Sequence, residues 1–250
     1  MGGTLVTAMV RAGHEDVVVV ERSAERRAEL ERDGHATAED VSAIAGADVV
    51  LLVVKPQDVA TVLPEVAAAV QSHATVVSLA AGVRTATIEA ALPESVAVVR
   101  AMPNTPAVIG RGMFGVSPGV SVPADRLDVV VDLLASGGEV VVVDESRQDA
   151  VTAVSGSGPA YLFHLAEHMI AAGVEGGLDP EAARTLTVQT LVGASELLAG
   201  SEDPPEELRR RVTSPNGTTH AAISAFDAHG VGEGIRAGVR AAIARSAELG

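Results

Sequence analysis

The order of apolar runs and helical stretches constrains the fold of this chain more than any other feature. Up to about residue 144, short apolar runs alternate with longer stretches at helical periodicity. The runs predicted as strands are residues 17–20, 49–54, 75–79, 96–100, 114–117 and 139–143. Fully apolar runs are typical of strands buried on both faces. This half is therefore predicted to be α/β, a doubly wound parallel sheet of the Rossmann type with helices on both faces.

After residue 144 no run predicts a strand, and the periodicity becomes helical. The predicted helices are residues 148–154, 159–172, 180–198, 206–211, 219–229 and 232–249. We therefore predict a dinucleotide-binding domain in residues 1–144 and a helical domain in residues 145–250. Ala and Gly are frequent in the second domain, which favours close helix packing and predicts an intertwined homodimer.

Charge and composition exclude several classes of partner. The formal net charge is −15, from 33 acidic and 18 basic residues, so nucleic acid and anionic membranes are not expected partners. The acidic surface fits either a solubility effect or adaptation to high internal salt. Because the chain has no cysteine, disulfides and thiolate metal sites are excluded. No apolar run has the length of a membrane span, and no signal peptide is recognisable, so we predict a cytoplasmic protein.

The N-terminus resembles the end of a phosphate-binding turn. A dinucleotide domain usually begins with a strand and a G-x-G-x-x-G turn, whereas this chain begins with Met1, Gly2, Gly3 and then a predicted helix. We expect Gly2 to occupy the place of the third glycine, with the first strand and G-x-G missing. Glu21 follows at the spacing expected of the acidic residue that binds the ribose. A mis-assigned start, a truncated chain and a degenerate domain all remain open.

The loops after the predicted strands should line the ligand crevice, because ligands bind at the carboxyl ends of parallel strands. Arg22 and Ser23 suit an adenosine 2′-phosphate, whereas Glu21 suits a free 2′-hydroxyl, so NADPH and NADH both remain possible. Arg22 could equally be an ordinary exposed arginine. Lys55, the one lysine of the chain, is either solvated or shapes the cofactor loop. Asn104, between two prolines, either forms a turn or presents its amide to a nicotinamide.

The helical half contains a loop suited to a small anion. Residues 214–219 read Ser-Pro-Asn-Gly-Thr-Thr and precede an alanine-rich helix. Free N–H groups at a positive helix end favour a carboxylate. His164 and His168 are spaced for one helix face, but no third ligand accompanies them, and we predict no metal site.

Five segments together resemble the pyrroline-5-carboxylate reductase family. They are VVKPQD at 53–58, SLAAGV at 78–83, RAMPNTPAVIGRGM at 100–113, DAVTAVSGSGPAYLF at 149–163 and VTSPNGTTHAAI at 212–223. The resemblance spans nearly the whole chain, and the segments follow the family order. It implies reduction of L-1-pyrroline-5-carboxylate to L-proline with NADPH or NADH. It also implies a homodimer, often within a ring of dimers.

The resemblance also implies site residues. Those expected at the cofactor, together with the residues discussed above, are Gly2, Arg22, Ser23, Val53, Val54, Lys55, Pro56, Leu79, Ala80, Ala81 and Asn104. Those expected at the substrate are Glu145, Gly217, Thr218 and Thr219. Our hypothesis is that N–H groups of residues 217–219 bind the substrate carboxylate, while the Thr219 hydroxyl hydrogen-bonds the ring nitrogen as the catalytic group.

Two departures from the family pattern bear on these expectations. Asn216 stands where Gly is usual, and Asn tolerates the left-handed conformation that Gly would supply. Asp40 stands where an Asn often meets the ribose, and its charge disfavours a 2′-phosphate. Two alternatives stay open: a related imine or hydroxy-acid reductase, and a non-catalytic dimer that no longer binds cofactor.

Overall fold

The computed structural model describes residues 2–14 and 16–249. These residues form two compact units. One runs up to Ser157 and includes the segment from Ala242 onward, and the other is Gly158–Ala241. The predicted domain boundary at residue 144 stays a prediction. Met1, with which the first predicted helix begins, lies outside the described residues.

The elements follow the predicted order, with some changes of bounds. The helices are α1 (Gly2–Arg11), α2 (Ala24–Arg32), α3 (Val59–Ala69), α4 (Thr85–Glu89), α5 (Ala124–Ala135), α6 (Gln148–Val151), α7 (Gly158–Glu175), α8 (Pro180–Ala199), α9 (Pro205–Arg211), α10 (Thr218–Ala228) and α11 (Val231–Leu249). The strands are β1 (Val18–Val20), β2 (Ala36–Ala38), β3 (Val49–Leu52), β4 (Thr75–Ser78), β5 (Ala97–Met102), β6 (Gly112–Pro118) and β7 (Gly138–Val142). Strand β2 was not predicted. The expected helix at 148–154 continues from α6 into a π-helix, Thr152–Gly156.

The strands form two separately hydrogen-bonded sheets. A five-stranded sheet has the order β3-β4-β5-β6-β7, and β1 pairs with β2 in a second sheet. All pairs are parallel except β5 with β6, which is antiparallel. A parallel pair needs a long crossover, usually a helix. The connection from Met102 to Gly112 contains only a short 3-10 turn, Thr105–Ile109, so β6 runs back along β5. The sheet is therefore parallel-dominated rather than wholly parallel.

Helices cover both faces of the larger sheet, as predicted. Successive residues of a strand point to opposite faces. Accordingly, Val76 packs in one apolar cluster with Val59 and Leu63 of α3. Its neighbour Val77 packs in another cluster with Leu5 of α1 and residues of α5. Burial of both faces explains why the strands are continuous apolar runs.

The unit Gly158–Ala241 is wholly helical. Its helices α7 and α8 approach closely at a small residue, since a Cβ on Gly173 would lie 3.3 Å from the Cβ of Ala183. Large apolar side chains remain exposed on this unit, including Leu162, Phe163, Leu186, Leu197 and Ile235. Among the described residues, no helix is both long and apolar enough to cross a bilayer.

Candidate functional site

Loops follow the carboxyl ends of the parallel strands β3 and β4 and carry several predicted cofactor residues. After β3, Val53 and Val54 are half-buried, while Lys55 and Pro56 are exposed. After β4, the N–H of Leu79 donates to the carbonyl of Leu52 at 3.0 Å. This bond continues the β3–β4 pairing past the end of β4. The two loops therefore lie side by side at one edge of the sheet.

Gly2 lies next to the loop that follows β3. It is the first residue of α1, and a Cβ built on it would lie 3.6 Å from Cγ1 of Val53. This distance is ordinary van der Waals contact. Gly2 and Val53, predicted separately as cofactor residues, are thus neighbours.

The loop after β4 is held by a buried hydroxyl. The N–H of Ala80 donates to Oγ of Ser78 at 3.3 Å, and Ser78 is fully buried. Gly82 has a φ of 78°, a conformation that glycine adopts without steric penalty. The turn at Leu79–Gly82 is therefore fixed from within the sheet.

The segment after β1 carries both of the conflicting coenzyme signals. Glu21 accepts a hydrogen bond from the N–H of Ser23 at 2.9 Å. Ser23 is the N-cap of α2, and its Oγ accepts from the N–H of Arg26 at 3.4 Å. Arg22 donates through Nη2 to both carboxylate oxygens of Glu65, at 2.5 and 2.6 Å. Arg22 and Ser23 thus already have partners within the protein.

The Asp40 carboxylate and the Arg22 guanidinium interact electrostatically. Hydrogen bonds from Ser42 lower the pKa of the Asp40 carboxyl, and the charge of Arg22 lowers it further. The carboxyl therefore stays ionised at neutral pH. A fixed negative charge is present where the family resemblance places the ribose.

Asn104 turns its amide inward. Its Oδ1 accepts from the N–H of Met113 at 2.9 Å, and its Nδ2 donates to the carbonyl and to Oγ of Ser155, each at 3.3 Å. Ser155 lies in the π-helix Thr152–Gly156. An α-helical bond to the Ser155 carbonyl is impossible, because the residue four positions on is Pro159, which lacks an N–H. The Nδ2 group of Asn104 instead donates to this carbonyl. A contact between Asn104 and nicotinamide stays a prediction.

A buried polar row crosses the sheet just behind these loops. Ser78 is in register with Arg100, and Arg100 with Ser117, and all three are buried. Gln148, fully buried, donates through Nε2 to Ser117 Oγ at 2.8 Å and to the carbonyl of Gly115 at 3.0 Å. The row links the loop after β4 to the start of α6.

Glu145 closes this row at one end. Its Oε1 accepts from the N–H of Thr85 at 2.8 Å, and its Oε2 accepts from the Thr85 hydroxyl at 2.7 Å. Nη1 of Arg100 lies 3.5 Å from Oε1. The Glu145 carboxylate thus caps the first turn of α4 and faces a guanidinium whose side chain is only 6% exposed. Both carboxylate oxygens of Glu145 already have partners in the protein, so a substrate would have to share them. Substrate binding by Glu145 stays a prediction.

The loop before α10 has the geometry expected of an anion seat. Gly217 is the N-cap of α10, and no side chain among the described residues caps this helix end. Asn216 adopts φ 59°, the left-handed conformation expected for it. A Cβ on Gly217 would overlap Oγ of Ser214 and lie 3.1 Å from the Ser214 carbonyl oxygen, so a side chain here would require Ser214 to shift. Thr218 is exposed and Thr219 half-buried, and they begin the helix with their N–H groups free of side-chain caps.

Sequence reasoning missed four residues that shape these sites. They are Glu65, Thr85, Arg100 and Gln148. Arg100 alone gave a signal, because it is a charged residue at the end of an apolar strand. The partners of Glu65 and Gln148 are distant in the sequence, and no local pattern indicates them. No group of three His, Asp or Glu within residues 2–14 and 16–249 is placed to hold a metal ion.

Two family models match the chain, one in each of the two predicted domains. Residues 145–249 match the family model described as pyrroline-5-carboxylate reductase dimerisation. Residues 1–82 match the model described as NADP oxidoreductase coenzyme F420-dependent.

Individual relatives cover most of the chain. The pyrroline-5-carboxylate reductase of Pseudomonas aeruginosa is 46% identical over 84% of this chain and 77% of its own length. A solved pyrroline-5-carboxylate reductase from Coxiella burnetii is 33% identical with a TM-score of 0.92, covering 99% of this chain and 94% of that one. The Plasmodium falciparum enzyme, solved with NADP bound, is 26% identical with a TM-score of 0.89, covering 100% and 94%. The chain therefore belongs to the pyrroline-5-carboxylate reductase family of proline-biosynthetic oxidoreductases.

Proposed function

We propose that this chain reduces L-1-pyrroline-5-carboxylate to L-proline with a nicotinamide dinucleotide as hydride donor. The observation that carries the substrate assignment is the uncapped N-terminus of α10. Thr218 and Thr219 present backbone N–H groups at the positive end of a helix, which suits one carboxylate. The loops after β1, β3 and β4 suit the dinucleotide, since they lie at strand ends where such cofactors bind.

The chemistry asks little of the protein beyond positioning. The dinucleotide supplies the hydride that C5 of the protonated imine accepts, and the ring nitrogen becomes the secondary amine of proline. We assign the N–H groups of Thr218 and Thr219 to the substrate carboxylate. The N–H of Gly217, which the sequence hypothesis included, already donates to the carbonyl of Ser214 at 3.0 Å. The Thr219 hydroxyl accepts the hydrogen bond of the protonated ring nitrogen and so keeps the imine charged and oriented. Productive transfer needs reacting atoms at about 3 to 3.5 Å, which two such anchors on one small ring can impose.

We expect the purified protein to consume the reduced dinucleotide only when pyrroline-5-carboxylate is present. The measurement is loss of nicotinamide absorbance, with chromatographic identification of L-proline. The cyclic imine without a carboxylate serves as control, because it cannot engage the N–H groups at the helix end. Absence of turnover by folded protein with either coenzyme would reject the proposal.

We further infer a preference for NADH over NADPH. The carboxylates of Glu39, Asp40 and Glu65 interact with Arg22 or Arg27, and that of Glu21 accepts from the N–H of Ser23. These four carboxylates therefore outnumber the two guanidiniums of Arg22 and Arg27 near the expected ribose. A 2′-phosphate adds up to two negative charges there. We expect kcat/KM to favour NADH by about tenfold, or ~1.4 kcal/mol. Steady-state kinetics with each coenzyme at low and high salt tests this, because screening should shrink the difference.

We propose a homodimer formed through the helical unit. Exposure reaches 68% for Phe163 and 62% for Leu197, and apolar surface of this kind marks an interaction site. Sedimentation at micromolar concentration should give twice the chain mass or an even multiple, the latter indicating a ring of dimers. A monomer at that concentration would contradict the assignment. A cytoplasmic location stays part of this proposal.

A further inference from the structure

We propose that Glu65, a residue of α3, determines coenzyme preference by holding the Arg22 guanidinium in an ion pair. This inference rests on the proposed function, because it concerns the adenosine end of the same dinucleotide. Glu65 follows Arg22 by 43 residues and belongs to no motif that the family resemblance quoted. Its role is visible only in the folded protein.

The contact between the two side chains is bidentate at the carboxylate. Nη2 of Arg22 lies 2.5 Å from Oε1 and 2.6 Å from Oε2 of Glu65. The hydrogen bond and the charge of Glu65 raise the pKa of the Arg22 guanidinium. Both side chains are about half exposed, at 58% and 49%, so a ligand can reach the pair.

Arg22 is the cation placed to bind a 2′-phosphate. It follows Glu21 directly at the end of β1, where dinucleotide domains carry an acidic residue for the ribose hydroxyl or a nearby arginine for the phosphate. Two other cations nearby are already paired: Arg26 donates to the Glu29 carboxylate at 2.7 Å, and Arg27 has three acceptors. Arg27 donates to the carbonyls of Glu21 and Arg22 at 2.7 and 2.8 Å and to the Glu39 carboxylate at 2.7 Å.

Glu65 therefore competes with the phosphate for Arg22. A bidentate phosphate contact needs two N–H groups of the guanidinium fork, and Nη2 of Arg22 already donates to both oxygens of Glu65. The phosphate must therefore compete with Glu65 for this nitrogen. An exposed ion pair is weak, so this competition lowers NADPH affinity by a limited factor rather than abolishing binding. NADH has a free 2′-hydroxyl and does not need the guanidinium. Glu65 thus acts on one coenzyme and leaves the other nearly unaffected.

The test measures dissociation constants of both coenzymes by calorimetry. We expect Glu65→Gln to tighten NADPH by about five- to tenfold while NADH changes less than twofold. Glu65→Ala, which also removes the hydrogen bond, should give at least the same gain. Arg22→Ala should abolish the gain when combined with Glu65→Gln, because the released guanidinium is its cause.

Glu233→Gln provides the matched control. Glu233 is an exposed carboxylate that pairs with Arg236 and Arg240 on α11, so its replacement makes the same change of net charge in the helical unit. We expect this variant to keep the NADPH-to-NADH ratio of the parent. A ratio unchanged in Glu65→Gln would overturn the inference. A gain that persists without Arg22 would overturn it too, since the carboxylate would then act by charge alone.

Binding and turnover separate this inference from the proposed function. A shift in the binding ratio without reduction of pyrroline-5-carboxylate would support the role of Glu65 and reject the reaction. Turnover of pyrroline-5-carboxylate with an unchanged NADPH-to-NADH binding ratio in Glu65→Gln would support the reaction and reject the role of Glu65. Failure of both coenzymes to bind the parent and Glu65→Gln would reject the role of Glu65.

Discussion

Thr219→Ala is expected to lower turnover of pyrroline-5-carboxylate by roughly 10- to 1000-fold, at about 1.4 kcal/mol per tenfold. The hydroxyl is assigned to the protonated ring nitrogen, and this interaction matters most as hydride approaches C5. The loss should therefore appear mainly in kcat, while coenzyme affinity stays unchanged. Stopped-flow and steady-state kinetics with saturating coenzyme measure it.

Three further variants sharpen the Thr219 test. Thr219→Ser keeps the hydroxyl and should retain most of the activity, whereas Thr219→Val keeps the shape and should resemble alanine. Thr218→Ala removes an adjacent, exposed hydroxyl at the same helix end but keeps the backbone N–H assigned to the carboxylate, so it should change the kinetics much less than Thr219→Ala. Unchanged kinetics in Thr219→Ala and Thr219→Val would remove Thr219 from the mechanism.

Glu145→Ala is expected to destabilise the first unit by about 3 to 5 kcal/mol, because it leaves the buried Arg100 charge without a partner. The N–H and hydroxyl of Thr85 lose their acceptor as well. For a chain of this size we expect the melting temperature to fall by roughly 10 °C. Differential scanning calorimetry and urea unfolding measure the change.

The control for Glu145 is its neighbour Asp144, which is exposed. Asp144→Ala should leave the melting temperature within a degree or so of the parent, as surface changes usually do. Arg100→Met combined with Glu145→Gln should recover part of the stability, because both charges are then gone. A Glu145→Ala variant of parental stability with a raised KM for the substrate would instead support the substrate role implied by the family resemblance.

The sequence predicted those structural elements whose residues show a recognisable pattern within a few neighbouring positions. Val76 and Val77 face opposite clusters, and this two-sided burial produces the apolar runs from which the strands were recognised. Strand β2 has the sequence Ala-Thr-Ala, without the branched apolar residues that favour strands, and it was missed. Strand β6 runs antiparallel to β5 because no crossover helix connects them. The direction of a strand cannot be deduced from the apolar run that identifies it.

Among the site residues too, local conformations were predictable and contacts between distant residues were not. The turn at Gly217 and the left-handed Asn216 follow from residue types at fixed positions, and the structure contains both. The partners of Arg22 and Glu145 lie 43 and 60 residues away. Such contacts arise only when α3 and α4 pack on the sheet, so these hydrogen bonds could not be predicted, and the roles of the site residues stay predictions.

The bond from Asn104 to Ser155 joins a short helical element to a distant part of the chain. A helix normally completes its hydrogen bonds within a few residues and forms early for that reason. Here the Ser155 carbonyl cannot receive the α-helical donor, and it accepts from a side chain 51 residues earlier. Across the segment Thr152–Gly156 the N–H of Ser157 donates to the carbonyl of Thr152 at 2.8 Å, and the bond from Asn104 ties the same segment to the β5–β6 connection. A short helical element is thus coupled to a long-range contact.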